Sequence, residues 1–266
     1  MTENTLYPRV IGQLVRDGTL SKRDTVLVIA GGVLDREVLL AHEFHDVTIS
    51  NVDDKIGGEA LAPFAWDYQD AESLSYADEL FDIVLVHAGL HHCRSPHRAL
   101  LEMYRVARKA IIVFEARDSL AMKLAKHFGF TPDYEVEAVS AQNFQTGGVG
   151  NGPIPNFVYR WTENEVTKTI KSFEPRYVPK IRYFYGLLLP HVRFRHTSRP
   201  VLRLLLRIMA PAAELFAKMF PKQGNEFAFM IFKGGKLQPW LVENEGEIVT
   251  SKAAVSAMGR AIRSVP

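Results

Sequence analysis

At 266 residues, 47% hydrophobic and 23% charged, the chain has the composition of a folded protein of one large domain or one domain with an insertion. Its single cysteine, Cys93, excludes an internal disulfide framework and fits a reducing compartment. The N-terminus carries acid and base early, which argues against a signal peptide, and no apolar run approaches the roughly 20 residues of a membrane-spanning helix. A cytoplasmic location is expected. The net charge of +2 conceals an asymmetry: residues 191–222 hold seven Lys/Arg against one acid, Glu214. Such a basic segment suits an anionic acceptor or a membrane surface, or is simply a solvated helix face.

In chain order, "DTVLVIAGG" is a β-branched run ending in two glycines, and "VLDREVLLAHEF" follows with helical spacing, so the pair predicts strand, tight turn, helix. "DVTISN" predicts a second strand ending at Asn51, with Asp53 just behind. A loop with Gly57, Gly58 and Pro63 leads into "FAWDYQDAESL". "FDIVLVHAGL" is a continuous apolar strand of the kind buried on both faces. "SPHRALLEMYRVA" predicts a helix with Ser95 as N-cap and Pro96 at its first position. "KAIIVFEAR" is another buried strand and "DSLAMKLAKHFGF" a helix.

The glycine-rich loop 147–152 predicts a mobile or substrate-covering segment, with Phe157, Tyr159 and Trp161 as an aromatic wall or as core. "WTENEVTKTIKSF" predicts a helix capped by Thr162, with Glu165 completing a capping box. Residues 183–222, broken by Pro190, Pro200 and Pro211, predict an inserted basic helical subdomain, a lid or acceptor-binding element. The main domain is then 1–182 plus 223–266, with "NEFAFMIFKG" as its late strand and a partly helical tail.

Strands alternating with helices over the first 120 residues imply a parallel, doubly wound α/β sheet, in which ligands bind beyond the carboxyl ends of the strands. The residues to examine are therefore Gly31 and Gly32, Asn51 and Asp53, Asp70, His87 to His92, and Glu115 to Asp118.

Five short pieces in this register, Asp70-Ala71-Glu72, Leu74-Ser75-Tyr76, Phe81-Asp82, Leu90-His91-His92 and Arg105-Val106, resemble the class I S-adenosylmethionine-dependent methyltransferases that act on small molecules. The resemblance is specific over residues 64–118 and fades beyond about Gly129. It implies a mostly parallel, seven-stranded Rossmann-like sheet with a helical insertion before the last strand, and S-adenosyl-L-methionine as cofactor. Asp70 would accept from the adenine amino group while the Ala71 backbone donates to the ring, with Glu72 beside them. Asn51 or Asp53 would meet the ribose, and Ala30, Gly31, Gly32 and His87 the methionine portion. The first glycine motif departs from the family: Val28 replaces its acid, Ala30 its first glycine and Leu34 its last, while Asn51 replaces the ribose-binding acid.

Three roles compete for "HAGLHHC". A metal site is not expected, because adjacent His91 and His92 seldom point at one ion and Cys93 has no Cys-x-x-Cys partner. The histidines could instead cap the next helix. The chemical role is general base: methyl transfer to a hydroxyl needs the proton removed, and an imidazole of pKa near 6.5 suits that task. His91 and His92 are not separable from sequence; Glu115 would orient one of them or act itself, with Arg117, Asp118 and Tyr159 toward the acceptor. The expected activity is O-methylation of a small acceptor, a sugar or lipid-linked glycan precursor. Nucleic acid is not expected as a partner, membrane contact would run through 183–222, and a homodimer is left open. The alternative is a non-catalytic or membrane-peripheral binding protein on the same fold.

Overall fold

The computed structural model describes residues 5–188 and 211–263. Seven strands form the main sheet: β1 (Val26–Ile29), β2 (Val47–Asn51), β3 (Ala65–Tyr68), β4 (Phe81–His87), β5 (Ala107–Ala116), β6 (Lys180–Gly186) and β7 (Glu226–Phe232). Their order across the sheet is β3-β2-β1-β4-β5-β7-β6. Neighbours from β3 to β5 run parallel, whereas β7 lies antiparallel between β5 and β6. The expected Rossmann-like sheet is the one observed.

The apolar runs are buried on both faces. Along β4, Ile83 and Leu85 enter one core with helix α1 (Leu6–Arg16) and helix α2 (Val33–Ala41), through Val10, Leu14, Val38 and Leu39. Val84 and Val86 enter the opposite core with α3 (Pro96–Val106), through Leu100 and Met103. Each fully buried aliphatic side chain contributes about 1.5–3 kcal/mol, so alternation along one strand welds both layers to the sheet. Helices α4 (Leu120–His127), α5 (Val136–Ala141) and α6 (Glu163–Phe173) follow. Thr162 and Glu165 form the expected reciprocal cap of α6, and the Ser95 hydroxyl accepts from Arg98 N at the start of α3.

Three elements differ from expectation. Helix α1 and strand β3 were not visible in the sequence pattern. The expected domain boundary at residue 183 falls inside β6, whose Tyr183 and Tyr185 stack on Phe227 of β7, so these aromatics belong to the sheet. Residues 189–210 of the basic segment lie outside the described residues, while 211–219 are helical. The tail comprises the hairpin β8 (Leu241–Asn244) and β9 (Glu247–Thr250), then α7 (Lys252–Arg263). Among the described residues no helix is long and apolar enough to cross a membrane.

Candidate active site

Beyond the carboxyl ends of β1, β2 and β4 opens a cleft of about 230 Å³. Ala30 and Ala88, which follow β1 and β4 and line the cleft, both take positive φ (48° and 53°), an arrangement that costs energy in a non-glycine residue. Small residues are enforced there: a Cβ on Gly89 would stand 2.7 Å from Ala30 Cβ.

Six residues expected to hold the cofactor line this cleft: Ala30, Asn51, Asp53, Asp70, Ala71 and Glu72. Their polar groups are unequally free. The Asn51 amide donates to Gly31 O and its Oδ1 accepts from Asp53 N, so this side chain braces the β1 turn. The Asp53 carboxylate, which engages only Lys55 N through Oδ1, keeps an oxygen for hydroxyl groups. Asp70 is exposed, lines the cleft and accepts from Glu72 N through Oδ1, which leaves Oδ2 uncommitted. Glu72 instead accepts from Arg94 N and Ser95 N, and its carboxylate anchors the entry to α3.

Gly31, Gly32 and His87 do not line the cleft. Gly31 is buried, and a Cβ there would meet Val28 and Ile49 within 2.8 Å. The Gly32 N–H donates to Asp35, a buried carboxyl that also accepts from Tyr7. Burial raises the Asp35 pKa against those hydrogen bonds. His87 stacks on Tyr7 at 4.5 Å, and burial pulls its pKa down. The far wall of the cleft is the glycine-rich loop, through Gly147, Gly148, Gly150 and Asn151, so the segment expected to cover substrate faces the cofactor cleft. Cys93 also lines it, with a thiol that burial pushes up to about 12, far from a reactive thiolate.

The histidines occupy a 3₁₀ turn, Leu90–His92, directly after β4. Glu115, near the end of β5 and fully buried, accepts from Leu90 N at 2.7 Å and contacts His91 Nδ1 at 2.7 Å. Its carboxylate is thereby committed, and Glu115 is a positioning residue, not a base. Across from them stands Glu135, which sequence reasoning missed: its Oε2 lies 3.5 Å from both His91 Nε2 and His92 Nε2. Burial lowers the His91 pKa, but the two flanking carboxylates outweigh it and hold it up to about 10. With no cation bound, these carboxylates favour the protonated imidazole, so His91 is the poorer general base of the pair. Burial and the charge on His91 pull His92 down, and contact with His91 draws Glu135 to about 2.

A second cavity, of about 440 Å³, opens past the end of β5 and is lined by Ala116, Met122, Tyr134, Glu135, Val158 and Arg160 among others. His92 lines the cofactor cleft and Glu135 this cavity, so the cluster stands at the wall between them. The three residues expected to meet the acceptor are elsewhere. Arg117 is buried, forks onto the Glu163 carboxylate and lies over the Tyr185 and Phe227 rings. Asp118 pairs with Lys123, and the Tyr159 hydroxyl donates to Glu165 while its ring packs on Trp161. Trp161 is itself fully buried; of the expected aromatic wall only Phe157 is exposed, beside Tyr134.

Residues 36–114 match the family model described as a methyltransferase domain. Over that segment the chain is similar to methyltransferase domains, and its sheet has their fold. Similar solved structures share the fold: the YcgJ protein of Bacillus subtilis matches at 11% identity and a TM-score of 0.53, covering 85% of this chain and 99% of that one. A SAM-dependent methyltransferase from Archaeoglobus fulgidus matches at 13% identity and a TM-score of 0.50, covering 85% and 94%. No curated protein matches the sequence. The similarity implies S-adenosylmethionine as cofactor, and the residues present fit it: Asp53 and Asp70 line the cleft and each has a carboxylate oxygen left to accept from hydroxyl or amino groups.

Proposed function

We propose that the protein methylates a hydroxyl oxygen of a small acceptor, of the sugar or glycan-precursor class, that enters through the second cavity. The observation that supports this reading is the position of the His91–His92–Glu135 cluster between the cofactor cleft and that cavity. S-adenosylmethionine supplies an electrophilic methyl carbon on a sulfonium. A neutral alcohol attacks such a carbon poorly until its proton is drawn away.

This chain's residues divide the work. Asp70 and the Ala71 backbone hold the adenine end, and Asp53 the ribose. His92 is the imidazole open to the cleft, so it is the one placed to accept the hydroxyl proton. His91 is fixed through Nδ1 by Glu115 and orients the cluster. Tyr134, exposed beside Phe157 on the cavity side, offers an aromatic face on which a sugar ring can stack.

Calorimetric titration with S-adenosylhomocysteine tests the cofactor half. Native protein should bind it, and Asp70→Ala should weaken binding about tenfold or more, the worth of one hydrogen bond to a charged group. Absence of binding by the native chain would overturn the reading. A panel of hydroxyl-bearing and amine acceptors, scored by acceptor-dependent release of S-adenosylhomocysteine, tests the oxygen half; turnover only with amines would overturn it.

A second reading, peripheral attachment to a membrane, has one observation in its favour: Leu215, Phe216, Met219 and Phe220 are all exposed. Flotation with anionic vesicles tests it, and co-flotation unaffected by Phe216→Asp and Phe220→Asp together would remove that role from this face.

A further inference from the structure

Neighbouring residues on a tight turn ordinarily send their side chains apart. Here the His91 and His92 rings lie 4.6 Å apart at 37°, and their Nε2 atoms converge on one oxygen of Glu135, each at 3.5 Å. That separation exceeds the 2.7–3.2 Å of a good N–H···O hydrogen bond. It matches the edge of a coordination tetrahedron: ligands bound at about 2.0–2.1 Å stand roughly 3.3 Å from one another. One donor atom from each of the three residues lies within 4.8 Å of the other two.

The surroundings fix these donors in place. Glu115 contacts His91 Nδ1 at 2.7 Å, which leaves Nε2 as the outward atom, the carboxylate–histidine arrangement that supports metal-binding imidazoles. Asn156, fully buried, donates its amide to Glu135 Oε2 at 3.3 Å.

We propose that His91, His92 and Glu135 form a divalent transition-metal site, supported by Glu115, that activates the acceptor hydroxyl. Two imidazoles and one carboxylate suit Mn²⁺, Fe²⁺, Co²⁺ or Zn²⁺ better than Ca²⁺. Three protein ligands leave positions open, and the site stands between the cleft that His92 lines and the cavity that Glu135 lines. The cation withdraws charge from a bound hydroxyl, whose proton leaves to water. The oxygen lone pair then forms the O–C bond as the C–S bond breaks and its electron pair stays on sulfur, leaving a methyl ether and S-adenosylhomocysteine. The inference rests on the reading that the acceptor's hydroxyl meets this cluster, and it changes only the agent that draws off the proton. It also favours acceptors with two adjacent oxygens, such as the vicinal diol of a sugar, which can fill two open positions.

The test uses the tag-free full chain, stripped with chelator and titrated with Co²⁺, whose ligand-field absorption reports coordination, then with Zn²⁺ and Mn²⁺ by calorimetry. S-adenosylhomocysteine binding and the thermal midpoint are measured on the same samples. One Co²⁺ per chain is expected, weakened at least tenfold by His92→Ala and by Glu135→Ala, both partly exposed positions that should leave the fold intact. Glu115→Gln should weaken it by roughly 10–100-fold, as loss of an outer partner does. Absence of stoichiometric binding of all three ions, or binding unchanged in both alanine variants, overturns the metal site. S-adenosylhomocysteine binding in those same samples reports separately whether the methyltransferase reading stands.

Discussion

The two ends of the central strands put similar side chains to different uses. At the amino-terminal end, Asp82 of β4 accepts from Thr25 N at 3.1 Å and from the Arg108 guanidinium at 2.7 and 3.0 Å, while Lys109 bridges Asp24 and Asp82. The acids are buried, but Arg108 and Lys109 are half in solvent, so each acid is paired with a cation that reaches water. At the carboxyl end, Glu115 of β5 is buried completely, and its partners are an imidazole and a backbone N–H. The lower end closes on itself and joins β1, β4 and β5. The upper end directs its polar atoms into two cavities. A buried carboxylate is thus a brace where its partners are cations from the adjoining strand, and part of a site where its partner imidazole belongs to a cluster between two cavities.

The largest way to break this contrast is Glu115→Ala. It removes the acceptor of Leu90 N and leaves the His91 imidazole buried without its closest counter-charge, and breaking a buried pair in this way costs about 3–5 kcal/mol. Urea denaturation should show that loss, and a loss below about 1 kcal/mol would mean the pair is not buried as described.

Asp82→Ala should cost less, about 1–3 kcal/mol, because the hydrogen bonds it ends belong to groups that can turn to water. S-adenosylhomocysteine affinity should not change, since no part of the cleft is touched. The same carboxylate gives the lower end a pH signature. Burial opposes its charge, but Arg108, Thr25 and Lys109 outweigh this and hold its pKa below the ordinary 3.8. A depressed pKa contributes stability above pH 3.8, and that contribution is lost as the pH falls through the lower folded-state value. Native protein should therefore lose more stability between pH 5 and pH 2.5 than Asp82→Asn does, read as the shift in urea midpoint. Equal losses would show that Asp82 is not held in its charged form by these partners.

What could be read from the sequence follows the same division between local and distant. Strands β1, β4 and β5 declare themselves because a parallel strand covered on both faces is apolar throughout. Strand β3, with Trp66 and Asp67 only part-buried at the sheet edge, carries no such run, and β6 flows into the apolar stretch that follows it. In the site, His91, His92 and Glu115 sit at strand ends and could be nominated one by one. Glu135 could not, because it is one of several acids in a stretch between helices and reaches the histidines only when the chain returns over β5. Arg117 illustrates the converse. A strand-end arginine reads as an anion binder until Glu163, 46 residues later, folds onto it.

The smallest effect sharpens the comparison most. Lys109 reaches both Asp24 and Asp82, but its side chain is 54% exposed, and its loss leaves each acid other donors: Ser21 N for Asp24, and Arg108 and Thr25 for Asp82. Lys109→Ala should cost under about 1 kcal/mol, in the range of solvated ion pairs, and the cost should shrink further at high salt. No comparable relief exists for Glu115, whose partners at the upper end have no water to turn to. If Lys109→Ala proved as damaging as Glu115→Ala, the two ends would not differ in kind, and the solvent beside the lower cations could not be what makes that end tolerant.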